Sequence, residues 1–123
     1  MVHHGRMSEP TRIPAPAGVA PAAQHSHVVM GTGRFVAVSG RLPLDEEGEL
    51  VGEGDPAAQA RQVFENLRRC LAAAGAGFED VVKLTCSVTD MAHLPAVRAT
   101  HIPDDRLPAS SAVQVSALVR PEF

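Results

Sequence analysis

The sequence predicts a single α+β domain, and three patterns carry that prediction. Apolar residues recur at three- and four-residue spacing between residues 63 and 74, which predicts an amphipathic helix. Residues 82–88 and residues 112–118 alternate apolar with polar side chains, which predicts strands with one buried face. A chain of 123 residues is long enough for one domain with a modest core.

Two short strands are predicted before the helix, at residues 27–30 and 35–39. A Gly-x-Gly sequence at 31–33 separates them, and we interpret it as a turn, because a phosphate-binding loop would be followed by a helix and a lysine. Apolar residues at 42–44 and 50–51 flank a further polar turn that ends in glycine.

The helix has clear start and stop signals. Asp55 can accept hydrogen bonds from the first free N–H groups, and Pro56 suits the first helical position. Gly75 supplies a left-handed stop. A second, short helix is predicted from Met91 to about residue 100, and Pro103 ends it.

Residues 1–21 are predicted to be a flexible tail, and residues 22–123 the folded domain. The tail is rich in proline, which favours an irregular chain without a hydrogen-bonded ladder. Met7 follows His3 and His4 and is a candidate natural start, with residues 1–6 added to it.

Composition argues against several classes of protein. The net charge of -3 provides no basic surface for nucleic acid, and the chain has no Trp or Tyr to stack on bases. We find no apolar run of membrane-spanning length and no signal peptide, and we therefore expect a cytoplasmic protein without a membrane partner. Cys70 and Cys86 are interpreted as buried thiols in a reducing compartment.

Seven blocks of sequence, in order, resemble one known family. They lie at residues 38–45, 48–52, 59–67, 74–75, 80–85, 88–91 and 107–115. Together they are similar to the RidA/YjgF (Rid) family of imine and enamine deaminases, whose older label is endoribonuclease L-PSP. The resemblance implies a chorismate-mutase-like fold with a mixed sheet and two helices on one face. It also implies a homotrimer that binds small molecules in clefts between subunits, without a cofactor.

Three positions depart from the family pattern where the resemblance places its ligand site. Ser110 stands where relatives have the arginine that binds the substrate carboxylate, within Pro-Ala-Arg-Ser. His25 stands where relatives have a tyrosine that faces the pocket. Arg41 follows Gly40 where relatives usually have glutamine.

Two further departures concern length. Relatives have more residues between the region of Val97 and the Pro-Ala motif than this sequence has. Relatives also continue beyond Arg120 into a final strand with a glutamate, whereas this sequence stops at Phe123. We therefore expect the last strand to be short or missing.

The candidate site residues each have a functional and a purely structural interpretation. His25 is the candidate catalytic acid or base, and Gly40, Arg41, Ser110 and Ser111 are the candidate ligand-binding residues. The alternatives are a polar histidine at a subunit cleft, a solvated or interface-pairing arginine, and a serine pair at the start of a strand.

No metal site or serine nucleophile is predicted. His25 and His27 share one face of an extended strand but lack a third ligand, since His93 and His101 lie far along the chain. Neither Ser110 nor Ser111 lies in a Gly-x-Ser-x-Gly turn.

The favoured function is that of a divergent Rid-type protein that acts on a small imine, enamine or carbonyl metabolite. Its 2-imino acid deaminase activity is expected to be lost or altered, because a neutral hydroxyl binds a carboxylate less well than a guanidinium. The alternatives are a retained deaminase in which Arg41 or another residue replaces the arginine, and a trimer that binds a metabolite without chemistry. Ribonuclease activity is the weakest alternative.

Overall fold

The fold was analysed in a computed structural model, which describes residues 10–21, 24–98, 102 and 104–123. Within these residues, four strands and two helices follow one another. They are β1 (Thr11–Ile13), β2 (Val28–Met30), α1 (Pro56–Ala73), β3 (Lys83–Val88), α2 (Leu94–Arg98) and β4 (Ala109–Gln114). Single 3-10 turns lie at Phe78–Asp80, Met91–His93 and Asp104–Arg106. The α+β prediction is confirmed.

The strands pair in both directions, in two separate two-stranded ladders. β1 and β2 are antiparallel, with Thr11 opposite Met30. β3 and β4 are parallel, with Lys83 opposite Ala109 and Val88 opposite Gln114. α1 and α2 pack against each other.

The signals at both ends of α1 work as predicted. The carboxylate of Asp55 accepts a hydrogen bond from the N–H of Ala58 at 3.1 Å. Gly75 has φ of +74°, and the N–H groups of Gly75 and Ala76 donate to the carbonyls of Ala72 and Leu71. This pair of bonds satisfies carbonyls that the last turn leaves without helical partners.

The predicted flexible tail requires a correction, because Thr11–Ile13 forms β1 within it. Pro10 and Pro14 flank this short stretch, and none of its own residues is a proline. Their N–H groups remain available for a ladder with β2. Residues 1–9, with His3, His4 and Met7, lie outside the described residues.

Two predicted strands differ from the observed ones. Residues 35–39 form no strand, and Phe35 is 91% exposed. A strand was predicted there from a short apolar run after the turn at 31–33, but the segment has no ladder partner among the described residues, so the prediction is wrong. The last strand begins at Ala109 and ends at Gln114 rather than Leu118, because its partner β3 ends at Val88.

The loop that leads into α1 contains a glycine, Gly52, that packs closely against the helix. Gly52 has φ of +81°, and a Cβ there would lie 2.7 Å from the Cβ of Ala58 and 2.9 Å from the backbone N of Gln59. Only glycine permits both this conformation and this approach to the helix.

We expect Gly52→Ala to lower the free energy of unfolding by about 2–4 kcal/mol, because the left-handed backbone and the steric overlap both disfavour a side chain. The matched control is Gly54→Ala, where φ is +70° but nothing lies within 4 Å of the added Cβ. That variant should lose only about 1–2 kcal/mol. Urea denaturation of both variants measures the difference, and equal losses would contradict the steric argument.

Candidate functional site

A cavity of about 1950 Å³ lies between α1, β3 and the segment that connects β2 to α1. Apolar side chains of α1 form one wall, including Val63, Phe64 and Leu67. All of β3 borders the cavity as well, together with residues 118, 119 and 121–123 near the C-terminus. A concave, largely apolar space with a few polar groups is the usual form of a small-molecule site.

The cavity brings together three of the five predicted site residues. Gly40, Arg41 and Ser110 line it, whereas His25 and Ser111 do not. Residues remote in sequence thus meet in one space, because the loop before α1 and the start of β4 border it from different sides.

The register of the parallel pair decides which way the two serines face. Ser110 lies opposite Leu84, and Ser111 lies opposite Thr85. Since neighbouring strand residues point to opposite faces, Ser110 shares the face of Leu84, where side chains are half-buried. Ser111 is exposed on the other face.

Polar side chains of α1 position the loop that carries Gly40 and Arg41. The amide of Asn66 donates to the carbonyls of Leu42 at 3.0 Å and Leu44 at 2.9 Å. Gln62 donates to the carbonyl of Leu44 at 3.2 Å and to the side-chain oxygen of Asn66 at 3.0 Å. Hydrogen bonds from two consecutive turns of the helix therefore fix the position of this loop at the cavity wall.

The guanidinium of Arg41 is held against α1. Its Nε donates to the carbonyl of Ser39 at 3.0 Å, and its Nη1 lies 3.7 Å from the Sγ of Cys70. A smaller open cleft of about 350 Å³ lies here, between residues 36–39 and the end of α1. Cys70 is therefore a half-buried thiol beside a cation, rather than the fully buried thiol predicted from the sequence.

His25 lies near the start of β4, because the next residue, Ser26, is hydrogen-bonded to the residues that precede this strand. Ser26 is only 4% exposed, and its Oγ donates to the carbonyl of Leu107 at 2.7 Å. Its backbone N–H donates to the carbonyl of Pro108 at 3.0 Å. The His25 ring meets the His27 ring edge-on, with centroids 5.6 Å apart.

A C-terminal cluster closes another side of the cavity. The amide of Gln59 donates to the carbonyls of Gly52 at 2.9 Å and Glu122 at 3.0 Å. Arg120 donates to the Glu122 carboxylate and lies 4.9 Å from the centre of the Phe123 ring. The hydrogen bond from Arg120 lowers the pKa of Glu122, which lines the cavity.

Lys83 and Glu122 are among the polar groups of the cavity wall that sequence reasoning missed. In the sequence, Lys83 is only a polar position in an alternating strand, and that pattern by itself indicates a solvent-exposed side chain. Glu122 lies beyond the last predicted strand, where no pattern indicated a folded segment.

Comparisons with known proteins give the family. The family model described as Endoribonuclease L-PSP matches residues 15–123. The chain is 37% identical over 108 residues to Protein DfrA of Myxococcus xanthus, covering 86% of this chain and 81% of that protein. It is also 37% identical over 116 residues to 3-aminoacrylate deaminase RutC of Acinetobacter baylyi, covering 92% and 90% of the two chains.

The chain belongs to the Rid family.

A solved structure agrees with this assignment. The Rid family protein YyfB from Yersinia pestis matches with a TM-score of 0.82 at 32% identity, covering 94% of this chain and 92% of that one. Because the similarity covers nearly all of both chains, the Rid fold is established for this chain.

Within the described ranges, no three His, Cys, Asp or Glu side chains come together as a metal site would require. His101 lies outside those ranges. Among the same residues, no helix is long and apolar enough to cross a membrane.

We expect Ser26→Ala to lower the free energy of unfolding by about 1–2 kcal/mol, because a buried hydroxyl donor to the Leu107 carbonyl is lost. Arg12 still donates to that carbonyl at 3.2 Å, which limits the loss. Ser116→Ala, at an exposed position, is the control and should change little. Urea denaturation checks both, and an unchanged Ser26→Ala variant would show that the bond does not hold the two segments together.

Proposed function

We propose that this protein acts on a small imine, enamine or carbonyl metabolite in the cytoplasm, and that its 2-imino acid deaminase activity is lost or altered. The observation that carries the proposal is Ser110, which lines the cavity at the position that resembles the family's arginine. Relatives named for deamination support the chemical class: 3-aminoacrylate deaminase RutC, and 2-iminobutanoate/2-iminopropanoate deaminase of Salmonella typhimurium, which is 36% identical over 109 residues.

Serine and arginine differ in how they can bind a carboxylate. A guanidinium presents a charged, planar fork that binds both oxygens of a carboxylate, whereas a hydroxyl offers one neutral donor. Losing such a contact in a closed site costs about 2–3 kcal/mol. An acid substrate would then react about a hundredfold more slowly. Substrates without a carboxylate would not be affected.

The reaction class needs no cofactor. Water adds to the carbon of a C=N bond, a proton moves to nitrogen, and ammonia leaves as the carbonyl forms. His25 is the proposed proton carrier, since imidazole is a common general acid and base and the backbone N–H of the next residue, Ser26, donates to the Pro108 carbonyl.

We further propose that the site is completed between subunits of a homotrimer. Trimers are typical of Rid proteins, and a cleft between subunits would give His25 access to a ligand although it does not line this subunit's own cavity. The predicted ligand-binding residues Gly40, Arg41 and Ser110 would form the other side of that cleft.

Retained deaminase activity is the alternative, and one observation favours it. Arg41 lines the same cavity as Ser110, and its guanidinium is the natural substitute for the missing cation. One observation speaks against this alternative: two of the Arg41 nitrogens already contact Ser39 and Cys70.

We expect the Ser110→Arg variant to release keto acid from 2-iminobutanoate about a hundredfold faster than the wild-type protein, because it restores a bidentate charged contact. Threonine dehydratase generates the imine in situ, and the keto acid is measured as it forms. Ser116→Arg is the control, because it adds the same charge at an exposed position outside the cavity lining.

A wild-type protein as fast as Ser110→Arg would contradict the proposal and favour the retained deaminase. Arg41→Ala would then abolish that activity if Arg41 were the substitute. Inactivity of both proteins towards acid and neutral imines, with ligand binding intact, would instead indicate a binding protein.

A further inference from the structure

Residues 118–123, here called the strap, lie along one side of the cavity without forming a strand. They belong to neither of the two strand pairs that the described residues form. All of them except Arg120 line the cavity. Val119 is 78% exposed, whereas Phe123 is only 9% exposed. The strap therefore buries one aromatic ring and leaves its other side chains at least partly in solvent.

Contacts within the strap hold the Phe123 ring in place. The guanidinium of Arg120 lies 4.9 Å from the centre of the ring and also pairs with the Glu122 carboxylate. The backbone N–H of Phe123 donates to the carbonyl of Arg120 at 3.1 Å, which closes a turn. A cation over the face of an aromatic ring is a favourable contact, and it covers the ring from one side.

A hydrogen bond from α1 attaches the strap to the rest of the domain. The side-chain amide of Gln59 donates to the carbonyl of Glu122 at 3.0 Å and to the carbonyl of Gly52 at 2.9 Å. This attachment is made by a side chain rather than by a strand ladder. The strap can therefore leave the cavity in a local opening while α1 and both strand pairs stay intact.

We propose that the strap is autoinhibitory: Phe123 occupies a subsite of the cavity that an aromatic or flat apolar group of a ligand occupies once the strap is released. The ring indicates what this subsite accepts, because it is an uncharged aromatic group buried in the cavity that the apolar side chains of α1 also line. The strap and a ligand then compete. The proposal goes beyond the proposed function, since it concerns access to the cavity and not the reaction.

The test measures binding of N-phenyl-1-naphthylamine, an uncharged aromatic probe whose fluorescence rises in apolar surroundings. Arg120→Gln removes the cation above the ring and the ion pair with Glu122, but it changes no residue that lines the cavity. We expect this variant to bind the probe about three- to tenfold more tightly than the wild-type protein, because apparent affinity rises with the fraction of molecules in the binding-competent state. Arg120→Lys keeps a cation and should bind the probe nearly as the wild type does.

The matched control is Arg61→Gln, which removes an exposed cation of α1 that does not line the cavity, and it should leave probe binding unchanged. Phe123→Ala empties the subsite outright and should bind the probe at least as tightly as Arg120→Gln does. Circular dichroism and urea denaturation establish that each variant is folded.

Hydrogen exchange of the wild-type protein provides an independent measurement that needs no substitution. Amide hydrogens of the strap should exchange faster when the probe is bound, because the probe keeps the strap released, whereas those of α1 should not.

Unchanged or slower exchange in the strap would show that it is a fixed wall of the cavity and would overturn the proposal. A loss of probe affinity in Phe123→Ala, or probe binding in none of the proteins, would overturn it as well. None of these measurements involves turnover of an imine, so the proposed function is tested separately.

Discussion

The parallel pairing of β3 with β4 is the constraint on which the site depends. Its register places Leu84 opposite Ser110 and Thr85 opposite Ser111, and so decides which serine faces the half-buried side. A slip of one residue would exchange the two faces and move the hydroxyl of Ser110 to solvent. The Pro108 immediately before β4 is fully buried, and its carbonyl accepts from Ser26, so the start of the strand is held on a second side.

The helix α1 acts as the second organising element, and it does so largely through polar side chains. Gln59, Gln62 and Asn66 all donate to backbone carbonyls of segments that have no ladder of their own. This arrangement satisfies backbone groups where secondary structure does not. It also means that the helix face beside the apolar stripe is part of the architecture of the site rather than a solvated surface.

The structural features that were predicted correctly are those that depend on residues close together in the sequence. The two ends of α1 followed from Asp55, Pro56 and Gly75, because a cap involves only neighbouring residues. Strand pairing depends on partners remote in sequence, which explains why the apolar residues 35–39 form no strand and why β1 was missed between two prolines. In the site, the resemblance identified Gly40, Arg41 and Ser110, which the fold brings to one cavity. The contact of Lys83 with Ser111 could not be found in this way, because it depends on the pairing of two strands that are remote in sequence.

The two arginines that flank residues 35–40 have a mechanical consequence. Arg34 donates to the carbonyl of Ala74 at 3.0 Å, and Arg41 contacts Cys70, so long side chains attach both ends of this segment to the last turns of α1. Such side chains rotate easily, and the gap that they span is therefore adjustable. Displacing residues 35–40 from α1 would therefore require these two arginine side chains to rotate or to release their contacts, while the backbones of α1 and of the β3–β4 pair need not change.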